Sequence, residues 1–284
     1  MYYIDLVVIL IKRYIVVNIN DKLTEIILIT RHKYKLKIED KMICEIPFIN
    51  KNSKLNENYI EIVLNNIKDK FINNKLVKGI YFNIQNDQII IRNIEDIKTK
   101  KHNEIINLIK FEINQYMPID LQEYNIRYKI IKKDNKEILQ SILFPRKFVD
   151  ICNEISEKLK IKNKYLNVNF DILQKLINFN MINLTKNQND MNTVILENRL
   201  DDLIVNLIFN NQVLESYILV KNYNNKNLLL TLTENYKLYY YGMTDDYIKS
   251  LDVERLKVDD KLQIYNNDGL EECMNYVSTL GMII

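Results

Sequence analysis

Few residues in this 284-residue chain are equipped for chemistry, and their spacing decides what they can do. The two histidines, His32 and His102, both sit beside basic residues, which argues against a histidine-based metal centre. Cys44, Cys152 and Cys273 are scattered without CxxC spacing and read as reduced thiols of a cytosolic protein. Tyr236, Tyr239, Tyr240 and Tyr241 offer faces on which an adenine or another base could stack. In a chain with 19 tyrosines, an aromatic-rich strand explains them better. Lys98, Lys100, Lys101 and His102 form a basic run that could meet anionic lipid headgroups; a solvated helix start is the simpler reading. Arg92 is sharper. It interrupts the isoleucine-rich run Ile89–Ile94, so it should point away from a core and offer its guanidinium to carbonyls or a carboxylate.

Those residues need elements to hold them. The stretch from Gln88 to Tyr128 predicts a strand, a long amphipathic helix and a second strand. In the helix, Ile105, Ile106, Leu108, Ile109, Ile113 and Tyr116 share one side, while Lys100, Lys101, Glu104, Lys110 and Asn114 take the other. Pro118 ends it, because a proline drives its predecessor out of helical dihedrals. Upstream, residues 14–29 predict two strands around a polar turn, 34–47 shorter strands, 50–58 a polar loop, 59–74 a helix and 79–84 a strand. Downstream come strands over 127–131 and 138–144, a helix carrying Phe148, Ile151, Ile155 and Leu159, a strand over 165–168 and a helix over 170–179. Residues 183–192, rich in Asn, Lys and Thr, read as a linker. After it, strands over 194–196, 202–209 and 213–220 follow, the last two joined by Asn210-Asn211, a pair tolerant of left-handed dihedrals. A helix over 223–234, a strand over 238–241, a turn at Gly242, a helix over 244–250 and a closing helix to Leu280-Gly281 complete the reading.

Composition bounds the answer. A chain of this length buries one large core or two modest ones. Its formal net charge of +3 gives no nucleic-acid footprint and no acidic tail. Alanine and tryptophan are absent, glycine and proline are scarce, and Ile, Asn, Lys and Tyr abound, as codon bias in an AT-rich genome would produce. Leu6–Ile11 is apolar, but Asp5 precedes it and Lys12-Arg13 interrupt it, well short of the ~20 residues a span needs. Positive residues follow that run rather than lead it, against a signal peptide. A soluble protein without a membrane span is expected.

The strand, the helix and its ending, Glu112-Ile113-Asn114-Gln115-Tyr116-Met117-Pro118-Ile119-Asp120-Leu121-Gln122-Glu123-Tyr124, resemble the inserted subdomain of the PilM family of type IV pilus assembly proteins. There a strand of pattern IIxRxI leads to a helix ending E-xx-QYxPxxxxxY. The resemblance runs from about Ile15 to Gly281. It is strongest over 89–124, good over 141–176 and weak in the last third. It implies a mixed α/β chain of the actin-like, ribonuclease H-like fold, two-lobed, with an inserted FtsA-type 1C subdomain and a shortened second lobe. The expected division is a first lobe over 1–185 (core 1–50 and 138–185, inserted subdomain about 76–135) and a second lobe over 186–284. A strand–turn–strand unit opens each half, at Tyr14 and at Val194.

The resemblance also implies where nucleotide would sit, and there the pattern changes. Actin-like ATPases hold Mg-ATP between two hairpin turns whose bare backbone N–H groups approach the phosphates while carboxylates organise the metal. The family's D-x-G-S is Asn18-Ile19-Asn20-Asp21 here, followed by Lys22. Its second D-x-G is Glu197-Asn198-Arg199, its L-D-x is Leu166-Asn167-Val168, and its G-G is Gly242-Met243. Two carboxylates and the close-approach glycines are gone, although Asp and Glu are plentiful elsewhere. Asn18, Asn20, Asp21, Lys22, Asn167, Glu197, Asn198 and Gly242 are thus the candidates of a degenerate nucleotide site. The expectation is a pseudo-ATPase with no catalytic residue, no metal site and no required cofactor; retained weak ATP/Mg binding is the alternative.

Function then falls to surfaces. The resemblance implies a cytoplasmic scaffold of the type IV pilus inner-membrane complex. It would bind the cytosolic N-terminal tail of a PilN-like bitopic membrane protein, with pilus motor ATPases as further partners and no nucleic acid. An extended tail in a groove beside the inserted subdomain would use backbone edges and apolar pockets, with Ile91, Arg92, Tyr116, Met117 and Pro118 as lining candidates. For Ile91 and Tyr116, a place in the subdomain core explains the residue equally well. Two other readings stay open: an active actin-like ATPase of the PilM type whose nucleotide state gates the partner, and an FtsA-like division protein. A sugar kinase would need a catalytic carboxylate and glycine-rich phosphate loops.

Overall fold

Aliphatic and β-branched runs set the frame of the computed structural model, which describes residues 12–32, 35–48, 56, 58–72, 76–95, 97, 99–133, 136–182, 184, 192–259, 262–266, 269–270 and 276–283. Residues 1–11, most of the 50–58 loop, Lys98, most of the 183–192 linker and Cys273 lie outside them. In chain order, β1 (Lys12–Ile19), β2 (Thr24–His32) and β3 (Lys35–Cys44) form an antiparallel meander. Helix α1 (Tyr59–Ile67) buries Val63 and Ile67 and widens into a π-helical turn to Ile72, where the sequence predicts a plain helix. Next come β4 (Val77–Ile84), β5 (Ile90–Ile94), α2 (His102–Tyr116), β6 (Tyr124–Lys133), β7 (Lys136–Pro145), α3 (Arg146–Leu159), β8 (Asn163–Val168) and α4 (Asn169–Asn178). The remainder is β9 (Thr193–Asn198), β10 (Asp202–Phe209), β11 (Gln212–Val220), α5 (Tyr223–Leu232), β12 (Lys237–Gly242), α6 (Asp246–Lys249), β13 (Glu254–Arg255), β14 (Gln263–Asn266), β15 (Gly269–Leu270) and α7 (Val277–Ile283).

Three sheets result, in the orders β15-β14-β3-β2-β1-β4-β8, β11-β10-β9-β12-β13 and β5-β7-β6. The two larger ones share a plan: an antiparallel hairpin, then a helical crossover to a strand parallel to the first, β4 beside β1 and β12 beside β9. Strand alternation sends Ile15, Val17 and Ile19 to one face of the large sheet, where α1 and α3 bring Val63, Phe71, Phe148 and Ile155. Val16 faces the other way, into a core with Ile172 and Leu176 of α4 and Leu280 of α7 that continues to Ile195, Tyr239 and Tyr241 of the second sheet. The tyrosine cluster is mostly strand packing: Tyr239, Tyr240 and Tyr241 are all buried.

The structure moves the expected boundaries. Val77–Ile84 is no part of the inserted subdomain, because β4 pairs along its length with β1. The subdomain sheet instead takes in β7, down to Pro145. Its core is Ile94, Ile105, Ile109, Ile113, Leu139 and Leu143, while Tyr116 is exposed. Residues after 262 return to the first lobe: β14 pairs in parallel with β3, and α7 packs on α4 and β4. Six of the seven α7 residues are buried, and Arg31 and Lys175 hold its last carbonyls, those of Ile283 and Gly281, a favourable place for cations. The subdomain also grips the second lobe. Asn93 Nδ2 and Gln140 Nε2 donate to the Leu214 carbonyl at 2.9 and 2.8 Å.

Candidate functional site

The turn between β1 and β2 faces the turn between β9 and β10 across a cleft of about 520 Å3. In the first turn, Asn20 Oδ1 accepts from the backbone N–H of Lys22 at 3.0 Å and of Leu23 at 2.9 Å, and Asn20 N–H donates to the Leu23 carbonyl at 3.1 Å. This is an Asx turn, in which a short polar side chain satisfies its own backbone. In the second turn, Arg199 N–H donates to the Asp202 carbonyl at 3.1 Å, and Lys221 Nζ holds the carbonyls of Arg199 and Leu200 while pairing with Asp245 at 2.6 Å. Lys22 Nζ reaches Asp201 Oδ2 at 2.6 Å and so joins the two tips. Arg199 pairs within its own turn with Asp202 at 2.5 Å.

Along the walls, Asn18 Nδ2 donates to Glu25 Oε2 at 3.0 Å, and Asn83 Nδ2 donates to Asn18 Oδ1 at 3.3 Å. Tyr241 OH donates to Glu197 Oε2 at 2.6 Å, and Lys41 Nζ donates to Tyr276 OH at 2.7 Å. Burial and then the charge of Asp87 push the Asp21 carboxyl up to about 6, with Arg199 opposing. Burial likewise raises Glu25, against the Asn18 hydrogen bond and Lys41, with Glu197 adding to the rise.

Seven of the eight expected nucleotide-site residues converge here: Asn18, Asn20, Asp21, Lys22, Glu197, Asn198 and Gly242. Asn167 does not line the cleft; its Nδ2 lies 3.3 Å from Met282 Sδ of α7, because β8 feeds the packing under that helix. Gly242 has a local structural reason to be glycine: φ is +91°, and a Cβ there would stand 2.4 Å from the Asn198 carbonyl oxygen. Glu25, Lys41, Asn83, Gln85, Asp201, Asp202 and Tyr276 also line the cleft and were not foreseen. Glu25 was within reach of the sequence, since a tight hairpin makes it the cross-strand partner of Asn18.

A triphosphate fits this lining poorly. The N–H groups of Lys22 and Leu23 are already used by Asn20, and Arg199 N–H is used by Asp202. The lining carries five carboxylates against three cations, and among the described residues no three His, Cys, Asp or Glu side chains are grouped to hold a metal ion.

The five groove candidates do not share one surface. Ile91 packs into the main core on one face of β5, whereas Arg92 lies on the helix side, its guanidinium carbon 4.8 Å from the Tyr116 ring centroid. An exposed ring at the end of α2 thus receives the Arg92 guanidinium. Met117 packs on the subdomain core, and Pro118 is exposed.

No protein-family model matches the sequence, and no curated protein does. Solved structures do. A chain of the PilM–PilN type IV pilus biogenesis complex superposes with TM-score 0.66 at 11% identity, covering 95% of this chain and 97% of that one. The cytoplasmic domain of EpsL, an inner membrane component of the type II secretion system of Vibrio cholerae, gives 0.57 at 8% identity and 96% of each chain. A Bacteroides thetaiotaomicron protein of actin-like ATPase fold and unknown function gives 0.54 at 10% identity and 95% of each chain. The fold is actin-like. Both lobes and the inserted three-stranded unit fall within these superpositions, which span nearly the whole of each chain. Among the described residues, no helix of this actin-like chain is long and apolar enough to cross a membrane.

Proposed function

We propose that this actin-like chain is a docking scaffold of a type IV pilus inner-membrane assembly complex. It receives the cytosolic tail of a PilN-like bitopic membrane protein on the cytoplasmic side and hydrolyses no ATP. The observation that carries the second half is the self-satisfied turn: Asn20 occupies the N–H groups of Lys22 and Leu23 that a phosphate would need. The first half is supported by full-length likeness to a chain of the PilM–PilN complex and to EpsL, itself a membrane-machine component. Motor ATPases are natural further partners for such a scaffold.

The retained cleft, with Asp21 and Glu197 on its walls, favours one rival, an ATP-binding protein whose nucleotide state gates the partner. Calorimetric titration with Mg-ATP separates them: no heat of binding is expected at micromolar concentration, and micromolar affinity would establish the rival. Co-purification with a PilN-like protein of the same genome tests the partner, and failure to co-purify with its tail intact would remove the scaffold reading.

A further inference from the structure

Strand register gathers lysines at one end of the seven-stranded sheet. Lys12 opens β1 opposite Arg31, and Lys35 and Lys37 open β3 beside the end of β2. Lys78 stands at the start of β4. Lys160 and Lys162 lie in the link from α3 to β8, where the Lys162 carbonyl accepts from the Ile80 N–H at 3.1 Å. All six lysines are exposed, and none makes an ion pair among the described residues. Strands β3, β2, β1, β4 and β8 are consecutive in the sheet, so these strand starts span roughly 19 Å. Glu39 is paired with Arg13 and Glu154 with Lys158; Glu157 and Asp259 also lie near this end, where cations outnumber carboxylates. The opposite end of β1 carries the cleft, whose lining has carboxylates in surplus. A net charge of only +3 thus conceals a polar molecule, basic at one end.

A second observation is independent of charge. Residues 1–11, Met-Tyr-Tyr-Ile-Asp-Leu-Val-Val-Ile-Leu-Ile, run directly into Lys12 and are apolar or aromatic at every position but Asp5. They fall short of the ~20 residues of a span. Leu76, just before β4, exposes 75% of its surface at the same end. Apolar groups bordered by cations match the boundary of a bilayer, where acyl chains lie beneath anionic headgroups. A nucleic acid offers the charge without the apolar layer.

We propose that this end of the first lobe binds the surface of an anionic phospholipid bilayer directly. The lysines meet the headgroups, and residues 1–11 enter the interface beneath them. Each signal alone gives weak, reversible attachment, and the two together hold. The cleft then faces away from the membrane. The chain thus reaches the bilayer without a membrane-spanning partner, which goes beyond the scaffold reading and does not depend on it.

Co-sedimentation of the full chain with lipid vesicles, in the absence of any partner, tests this. Vesicles of phosphatidylglycerol and phosphatidylcholine in equal parts should bind it, vesicles of phosphatidylcholine alone about tenfold less, and added salt should weaken the binding. The combined variant Lys12→Glu, Lys35→Glu, Lys37→Glu and Lys162→Glu should lose at least about tenfold in affinity, whereas arginine at the same four positions should bind like the unaltered chain. Val7→Asp with Ile9→Asp should also cost roughly tenfold while the lysines are intact. Thermal melts show which variants are folded; should the glutamate variant not fold, the salt series on the unaltered chain decides. No binding to the anionic vesicles, or affinity unchanged by either the glutamate or the aspartate substitutions, overturns the proposal. Equally tight binding to a single-stranded oligonucleotide or to polyglutamate would mark a general polyanion site and overturn the assignment to a membrane.

Discussion

Gly242 and Asn198 lie so close that a single methyl group at position 242 would stand 2.4 Å from the Asn198 carbonyl oxygen. The Met243 N–H donates to that same oxygen at 3.0 Å, and Asn198 Nδ2 returns a bond to the Met243 carbonyl at 2.7 Å. Gly242→Ala must therefore break a reciprocal pair as well as adopt a left-handed backbone. We expect a loss of about 2–4 kcal/mol, read as a lower urea midpoint; a loss under ~0.5 kcal/mol would show that the strand ends can part freely.

Asp21 makes stability depend on pH. Unfolded, it ionises near 3.8; folded, near 6, so between these values the folded chain holds the extra proton. Stability should fall as pH rises through that window, and Asp21→Asn should abolish the fall and be the more stable protein above it. Solvent screening at this partly exposed group keeps the gain to about 1 kcal/mol. Denaturant midpoints of both proteins at about pH 4 and pH 7 check this; parallel profiles would refute it.

In α7, a Cβ on Gly281 would meet Ile172 Cγ2 at 2.2 Å and the Ile172 carbonyl oxygen at 3.1 Å. Gly281→Ala should cost about 1–3 kcal/mol by overpacking. Ile172→Ala alone should cost about 2–5 kcal/mol through its cavity. The double variant should cost less than the sum, because each change offsets the other. Strict additivity would mean the two do not touch.

The Arg92 side chain lies over the Tyr116 ring at the end of α2. Arg92→Ala should cost only about 0.5–1 kcal/mol in stability yet weaken binding of the PilN-like tail. A tail-binding assay with unchanged affinity would take Arg92 out of the docking surface.

Much of the frame was readable because local signals agreed with long-range pairing. Asn210 and Asn211 do adopt left-handed dihedrals, with φ of 47° and 61°, and they join β10 to β11 as their side chains suggest. Ile105, Ile109 and Ile113 form the buried stripe that their spacing foretold. Tyr116 failed that stripe because the last turn of α2 overhangs the sheet and meets Arg92 instead. Strands β13, β14 and β15 were missed, being two to four residues long and defined by distant neighbours rather than by their own sequence. In the cleft, hairpin residues were legible through the family pattern, whereas Lys41 and Tyr276 were not. They are 235 residues apart and meet only because the chain returns to the first sheet with β14 and α7.

That return has a temporal side. A ribosome making this chain will have produced every strand of the second sheet before it reaches β14 and α7, which close the first one. Until then, the apolar face shared by Val16, Ile172 and Leu176 lacks its cover. The nascent first lobe must wait, exposed, for β14 and α7 to emerge, so products truncated before them should be the ones that chaperones and proteases find first.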